Sequence, residues 1–423
     1  MVSSNLEHNL PPTDPKPASA SHGQVLSVLH FVSSLLVILG CGGVGLLFIF
    51  MGLNDGLPTG LAALTFAGAA IWLGVLLLPS ASLAFLRLIG SPVRSDFLSQ
   101  RGLRLAGLAI FLFPVILFLG NWAAQQEGFA SLAFPIFHVI ATSLPVGWII
   151  YLAVRGLGIG SPQRTWGIFN AGLVLGPAII LALETIAMIA ALVLIGVFIL
   201  SQPELVDELS ALTRLFEGYP NTLPNPEAIL AIVGPYLTQP ATMIGTLIFT
   251  SLLVPLIEEA FKPIGVWFLL SRRISPAMGF AAGALSGAGF ALFENLLLSA
   301  NIDSWATLQV ARMGTAIVHT LATGLMGYAL ARAWQRRKIG QLLGTYLGVV
   351  LLHGTWNAFS MLMTFGELQS SLELIDQTGW LIRLGDLAPY GMVAMALGSL
   401  LALIGFNARM RASPEALSPA LPG

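Results

Sequence analysis

The chain has 423 residues, of which 56% are hydrophobic and only 9% are charged, with a formal net charge of -1. Soluble globular domains carry roughly 25% charged residues, so this composition excludes an ordinary soluble protein and indicates an integral membrane protein in contact with the lipid bilayer. The small net charge predicts no nucleic-acid partner, and the single cysteine, Cys41, excludes an internal disulfide.

Ten apolar runs follow a polar N-terminal segment. Residues 1–23 are rich in proline and serine, which predicts a disordered tail. Each later run is long enough for the ~20 residues that a helix needs to cross a bilayer. The runs lie near 24–53, 58–86, 103–122, 132–154, 165–200, 241–270, 276–300, 308–334, 341–365 and 387–407. We therefore expect an all-α fold, a polytopic membrane bundle of ten transmembrane helices, with a kink at Pro177 in the long fifth span.

Basic residues are found in alternate loops of this arrangement. Arginines such as Arg87, Arg164 and Arg411 follow the even-numbered spans, whereas the loop at 201–240 is poor in basic residues. Loops enriched in Lys and Arg face the cytoplasm, so both termini are predicted to be cytoplasmic. The stretch from Glu204 to Phe216 alternates polar and apolar residues near helical period, which predicts either a short amphipathic helix on the outer face or a plain connector.

The spans and loops predict six parts along the chain. These are the tail at 1–23, accessory transmembrane helices at 24–200, an outer-face loop at 201–240, the helices that carry most intramembrane charge at 241–365, an outer loop with the last helix at 366–411, and a flexible C-terminal tail at 412–423.

Ionisable side chains are concentrated in spans six to nine. An ionisable group in hydrocarbon costs several kcal/mol unless it is paired or hydrated, so these groups are expected to meet inside the bundle. They are Glu258, Glu259 and Lys262 in span six, Glu294 in span seven, His319 in span eight, and His353 with the neighbouring Asn357 in span nine. Residues four apart share a helix face, as Glu258 and Lys262 do. This one pair can also be interpreted as a structural ion pair in which the two charges neutralise each other. The stretch GFAAGALSGAG at 279–289 permits close helix packing.

Four motifs in this region resemble those of the PrsW family of intramembrane proteases, within the wider superfamily that includes CAAX-processing proteases. The motifs are EEAFK at 258–262, FALFE at 290–294, HTLATG at 319–324 and HGTWN at 353–357. The resemblance covers roughly 241–365. It implies a multi-pass enzyme of a bacterial cell membrane that hydrolyses a peptide bond in a membrane-anchored protein, such as an anti-sigma-type regulator.

Two versions of this hydrolysis are open. In the preferred version Glu294, His319 and His353 bind a Zn²⁺ ion with an open position for water, and a glutamate of the EEAFK motif acts as general base. In the other version no metal takes part, Glu258 or Glu259 activates water, and His353 with Asn357 stabilises the oxyanion. Lys262 can pair with either glutamate, so both remain candidates for the base. Lys262 and Phe290 are expected to support the site without taking part in the reaction. For Phe290 we expect packing alone.

Two other functions are also compatible with some of these residues. Carboxylates and histidines in adjacent spans also form proton relays in transporters, but such proteins often contain inverted repeats, and spans one to five hold no second copy of the motifs. A non-catalytic binding protein is the third interpretation, although such relatives usually lack some of the polar groups. His138 and Glu184 are expected to be hydrogen-bonded bundle residues, and Arg312 is expected to anchor span eight at the interface. Glu294 and His319 fall in the outer halves of their spans, so the site is expected to open outward.

Overall fold

All described secondary structure is helical. The computed structural model describes residues 18–54, 59–91, 100–126, 129–217, 226–270, 274–297, 304–371 and 379–413. No strand occurs among them, which confirms the all-α fold class. The first helix begins at Ala18, inside the segment predicted to be a tail, whereas residues 1–17 and 414–423 of the two predicted tails lie outside the described residues.

The accessory region folds into seven helices. They are α1 (Ala18–Asn54), α2 (Thr59–Leu88), α3 (Gln100–Leu108), α4 (Phe113–Ala124), α5 (Ala130–Val154), α6 (Pro162–Asn170) and α7 (Gly176–Leu200). A π turn at Ala171–Leu175 joins α6 to α7 directly before Pro177, the residue expected to kink this span. Proline at 177 cannot donate to the carbonyl four residues earlier, that of Leu173, which lies inside this π turn, so the irregularity is where Pro177 predicts it. Turns of this kind are common at functional sites.

The remaining helices form the second half of the bundle. They are α8 (Pro203–Glu217), α9 (Pro226–Leu237), α10 (Pro240–Ile248), α11 (Val254–Phe261), α12 (Ile264–Trp267), α13 (Pro276–Leu297), α14 (Trp305–Arg336), α15 (Ile339–Ser371) and α16 (Gly379–Arg411). A second π turn, Phe249–Leu253, joins α10 to α11. The helix predicted over Glu204 to Phe216 is present as α8, while its position on the outer face stays a prediction.

Eight helical stretches of the described residues are long and apolar enough to cross a membrane. They are Ser27–Asn54, Gly60–Leu88, Gly102–Ala124, Ala130–Val154, Pro162–Leu200, Pro240–Trp267, Pro276–Leu297 and Arg383–Arg411. They match eight of the ten predicted runs, which confirms a multi-pass membrane helical bundle. The other two runs form the long helices α14 and α15, which lie outside this set and carry His319 and His353. The cytoplasmic position of both termini stays a prediction.

Helices α1 and α2 form an antiparallel hairpin. His30 meets Ser80 near one end of the hairpin, with 2.7 Å between Nε2 and Oγ. The rings of Phe48 and Phe66 meet near the other end, with centroids 4.8 Å apart. Only 11% of the apolar window of α1 is buried, so most of this helix faces the surroundings of the bundle.

Helix α13 is the centre of the bundle, because 89% of its apolar window is buried. Glycines bring it close to α14. A Cβ atom on Gly287 would lie 2.7 Å from the carbonyl oxygen of His319 and 2.7 Å from the side chain of Thr323, too close for any real Cβ contact. The predicted close packing of the 279–289 stretch is therefore present, and it places the helix of Glu294 against the helix of His319.

Candidate active site

An ammonium group lies at the centre of the intramembrane polar groups. The Nζ atom of Lys262 lies 2.6 Å from Oε2 of Glu258 and 2.8 Å from Oε1 of Glu259. It lies 2.9 Å from Nδ1 of His319 and 3.3 Å from Nδ1 of His353. All five residues are buried, and we refer to them as the Lys262 cluster. The structure thus brings together the charged groups of α11, α14 and α15.

The backbone around Lys262 places its side chain inward. Helix α11 ends at Phe261, and Pro263 follows Lys262 with φ -77° and ψ 23°, which is not helical. Proline cannot donate a backbone hydrogen bond, so the helix is interrupted here. The carbonyl of Lys262 accepts a hydrogen bond of 2.6 Å from Oγ of Ser286 on α13. Ser286 therefore satisfies a backbone group at the break and fixes Lys262 against the central helix.

The contacts determine which histidine nitrogens carry hydrogen. An ammonium group only donates, so Nδ1 of His319 accepts from Lys262, and its Nε2–H donates to Oε2 of Glu294 at 2.8 Å. Nδ1 of His353 lies 2.9 Å from Oε1 of Glu259 and 3.3 Å from Nζ of Lys262. We assign the hydrogen by the shorter contact, so Nδ1–H donates to Glu259 and the approach of Lys262 is not a hydrogen bond. This leaves Nε2 of His353 as an acceptor, 3.8 Å from Oε2 of Glu258. That gap is too long for a direct hydrogen bond, and a water molecule can bridge it.

Glu294 forms the most exposed part of the site. Its side chain is 29% exposed, whereas that of Glu259 has no exposed surface. Nη1 of Arg312 donates to Oε1 of Glu294 at 3.0 Å, while the other carboxylate oxygen accepts from His319. Arg312, expected only to anchor α14, therefore holds Glu294 in place. Its position seven residues before His319 on one helix was visible in the sequence, but the pairing across to α13 was not.

Two further residues of the motifs have different surroundings. The ring centroid of Phe290 lies 4.6 Å from Nζ of Lys262, and the ring packs edge-on against His319. This contact combines packing with a cation–π interaction. The amide nitrogen of Asn357 donates to the carbonyl of Thr250 at 2.9 Å, which satisfies a backbone group of the π turn before α11. The predicted oxyanion role of Asn357 stays a prediction and requires the amide to leave Thr250.

Two residues of the accessory helices also contribute polar contacts. His138 is fully buried, accepts at Nδ1 from Trp305 at 3.2 Å, and lies 3.3 Å from the carbonyl of Leu296 through Nε2. It is a hydrogen-bonded bundle residue, as the sequence predicted. Glu184 of α7 lies near Glu258, because α7 packs against α11. An accessory helix therefore reaches the Lys262 cluster, a contact that no sequence motif indicates.

The cluster contains a ligand set that suits a metal ion. Glu258, Glu259, His319 and His353 each offer one atom, and these atoms lie within 4.8 Å of one another. Two carboxylates and two imidazoles are typical zinc ligands, with metal–ligand distances of ~2.0–2.2 Å. Nζ of Lys262 lies 2.6–3.3 Å from one atom of each residue, so an ion bound to all four would overlap it.

The donors therefore fit a metal by their chemistry, but not with Lys262 in its observed position. The predicted zinc ligands were Glu294, His319 and His353. Glu294 does not belong to the group of four, and it meets the cluster through Nε2 of His319.

Comparison with known families supports the motif-based resemblance. Residues 225–376 match the family model described as PrsW family intramembrane metalloprotease. No curated protein and no solved structure gives a significant match. The matched segment includes the whole of the Lys262 cluster together with Glu294, Arg312 and Asn357. Residues 225–376 are therefore similar to the PrsW family of intramembrane metalloproteases, which confirms for this segment the resemblance that the four motifs indicated.

Proposed function

We propose that the Lys262 cluster hydrolyses a peptide bond within or next to the membrane segment of a membrane-anchored protein. The observation that supports this is the buried meeting of two carboxylates, two imidazoles and one ammonium from three helices of the family segment. Buried ionisable groups at membrane depth are costly, and hydrolysis needs a base, a water site and a fixed positive charge. All three can be assigned to residues of this cluster.

Glu258 is the proposed general base. Its side chain is 11% exposed, whereas Glu259 has no exposed surface and is held by both Lys262 and His353. A base must reach water and substrate, so the more accessible carboxylate is better placed. Nε2 of His353 can accept one hydrogen of the same water molecule, because it faces Glu258 across 3.8 Å. Glu259 then has a positioning role.

The proposed reaction follows from these positions. The water oxygen attacks the carbonyl carbon while Glu258 takes one of its protons. Negative charge develops on the carbonyl oxygen, and the ammonium of Lys262 is the nearest fixed positive charge to the base, 2.6 Å from Glu258. The C–N bond then breaks, and the proton held by Glu258 passes to the leaving amine. The products are one carboxylate and one amine, as hydrolysis requires.

The zinc version remains the competing mechanism. Glu258, Glu259, His319 and His353 are the residues that would hold the ion, after Lys262 turned out of the cluster. When bound, zinc would act as a Lewis acid and lower the pKa of its water. In the metal-free version the lysine ammonium supplies the positive charge at the position that the ion would take. The family description, intramembrane metalloprotease, supports the zinc version.

The proposed substrate is a membrane-anchored protein, for example an anti-sigma-type regulator in a bacterial cell membrane. Glu294 and Arg312 are the partly exposed residues beside the buried cluster, with side-chain exposures of 29% and 22%. They therefore mark the side from which we expect the substrate backbone to approach. Two carboxylate oxygens and a guanidinium there suit the amide groups of an unwound segment.

The test compares cells that express the wild-type chain with cells that express Glu258→Gln, which keeps the side-chain size but removes the base. Mass spectrometry of membrane fractions should find new protein termini only with the wild type. Proteoliposomes with the purified chain in ¹⁸O-labelled water should then place the label in the new carboxyl group. If both strains produced the same new protein termini in equal amounts, Glu258 would not be the base. An absence of new termini together with proton flux in proteoliposomes would favour the transporter interpretation instead.

Metal analysis of the same purified sample separates the two mechanisms. With Lys262 as the cation, active protein should hold far less than one zinc per chain and keep its activity after chelation. One bound zinc per chain, with activity lost on chelation and restored by zinc, would refute the metal-free version. The protease assignment would survive that result.

A further inference from the structure

A large cavity lies apart from the Lys262 cluster. Its volume is about 990 Å³, it is partly open, and it lies between the α1–α2 hairpin, the α6–α7 segment and α12. We call it the hairpin cavity. Residues that define it include His30, Ser34, Arg87, Arg164, Asn170 and Phe268. It lies outside the family segment except for the wall formed by α12, which begins two residues after Lys262.

Asn170 is the residue that indicates a ligand. Its side chain lines the cavity and is only 8% exposed, yet neither Oδ1 nor Nδ2 has a hydrogen-bond partner among the described residues. Buried amides are almost always hydrogen-bonded, because an unpaired one loses its interactions with water without compensation. His30 and Ser80 in the same cavity pair with each other at 2.7 Å. Asn170 therefore offers one unused donor and one unused acceptor to whatever fills the cavity.

The charge of the cavity is entirely positive among its described lining residues. Arg87 lies in the last turn of α2, Arg164 lies in the first turn of α6, and no acidic side chain lines the cavity. The hairpin contacts place the end of α2 beside the start of α1, so Arg87 lies at the same end of the bundle as Ser27. Among the described lining residues, an anion at this end would meet arginine side chains and serine hydroxyls and no carboxylate.

Apart from Gln163 and the serines, the remaining lining is apolar. Side chains of Val37, Leu77, Val174 and Leu269 line the cavity beyond its basic end. The combination is a basic, hydroxyl-rich end followed by an apolar channel between membrane helices. Basic pockets between transmembrane helices bind the head groups of anionic lipids, and an apolar channel accommodates an acyl chain. A free phosphate ion would leave the apolar part unfilled.

We propose that the hairpin cavity binds one anionic phospholipid. Its phosphate lies between Arg87 and Arg164, its glycerol or ester oxygens meet Asn170, and an acyl chain follows the apolar lining. The bound lipid also packs against Phe268 of the α12 wall and so stabilises the segment that follows Lys262. This proposal is independent of the protease assignment, because it concerns binding by the accessory helices.

The test measures lipid retention by native mass spectrometry on the purified, delipidated full chain. Phosphatidylglycerol and phosphatidylcholine with identical acyl chains are added in parallel. The wild type should retain one phosphatidylglycerol in preference to phosphatidylcholine. The double variant Arg87→Gln with Arg164→Gln should bind phosphatidylglycerol roughly tenfold to thirtyfold more weakly. Asn170→Leu, which keeps the size but not the polar atoms, should also weaken retention.

A matched control uses two arginines that do not line the cavity. Arg336→Gln with Arg409→Gln removes the same charge from exposed positions and should leave retention unchanged. The proposal would be overturned if the wild type retained phosphatidylglycerol and phosphatidylcholine equally. It would also be overturned if the control variant lost as much phosphatidylglycerol as the Arg87→Gln with Arg164→Gln variant. Competition by inorganic phosphate at the same concentration as the lipid would show a phosphate site instead. The double variant could fail to fold. In that case Arg87→Gln alone is tested, because Arg87 is exposed and its replacement should leave the fold intact.

Discussion

Nζ of Lys262 lies 2.9 Å from Nδ1 of His319, although the two residues are 57 positions apart in the chain. The same nitrogen pairs with Glu258 and Glu259 on its own helix segment. A single ammonium therefore joins the EEAFK motif to the histidine of the HTLATG motif on α14. It contacts α11 through the two glutamates, α13 through Phe290, α14 through His319 and α15 through His353.

Replacing Lys262 by methionine should destabilise the protein strongly. The change removes the cation between two buried carboxylates, and breaking a buried ion pair from one side costs ~3–5 kcal/mol. Thermal unfolding of the purified protein in detergent measures the effect. Lys338→Met is the matched control, because Lys338 is exposed and should change stability little. Equal unfolding temperatures for the two variants would contradict the structural role of Lys262.

Glu259→Gln should destabilise the protein more than Glu258→Gln does. Glu259 is fully buried and accepts from both Lys262 and His353, so the loss of its charge weakens two charge-assisted hydrogen bonds. Such bonds contribute about 1.5–3 kcal/mol each. Chemical denaturation of both variants in detergent checks the order. A larger loss for Glu258→Gln would reverse the assignment of the base and the positioning residue.

Arg312→Ala should lower activity far more than stability. The Arg312–Glu294 pair is partly exposed, and exposed pairs contribute about 0–1 kcal/mol. Without Arg312, however, Glu294 is less fixed and holds the His319 ring less firmly. Turnover, measured on any substrate found by the terminus mapping, should fall. Arg332→Ala on the same helix is the control, since Arg332 donates to Tyr328 instead, and a matching fall there would argue against a specific role.

Gly287→Ala should destabilise the contact between α13 and α14. The added Cβ would lie 2.7 Å from the His319 carbonyl, and overpacking of this kind typically costs ~1–3 kcal/mol. Gly348→Ala on α15 is the control, because nothing lies within 4 Å of its added Cβ and alanine favours a helix. The unfolding temperature should fall for the first variant and stay equal or rise for the second. The same fall in both would exclude close packing as the cause.

The sequence by itself determined the membrane class, the helical fold and the four helices that carry the motifs. These follow from local properties: apolar length predicts spans, and helical period places Glu258 and Lys262 on one face. The glycines at 279–289 likewise predicted close packing. A glycine has no side chain, so any neighbouring helix can approach its backbone closely. His138 was correctly expected to be hydrogen-bonded, since a buried imidazole needs partners.

Only the tertiary structure decided which side chains meet across helices. The depth and rotation of each helix depend on all its packing contacts. They turn Arg312 toward Glu294 and the amide of Asn357 toward Thr250, and they bring α7 against α11. The break after Lys262 directs its ammonium to the position where the sequence suggested a metal. Asn170 looked like any polar residue in a long span, and only the packing of α1, α2 and α12 around it leaves its amide facing a cavity.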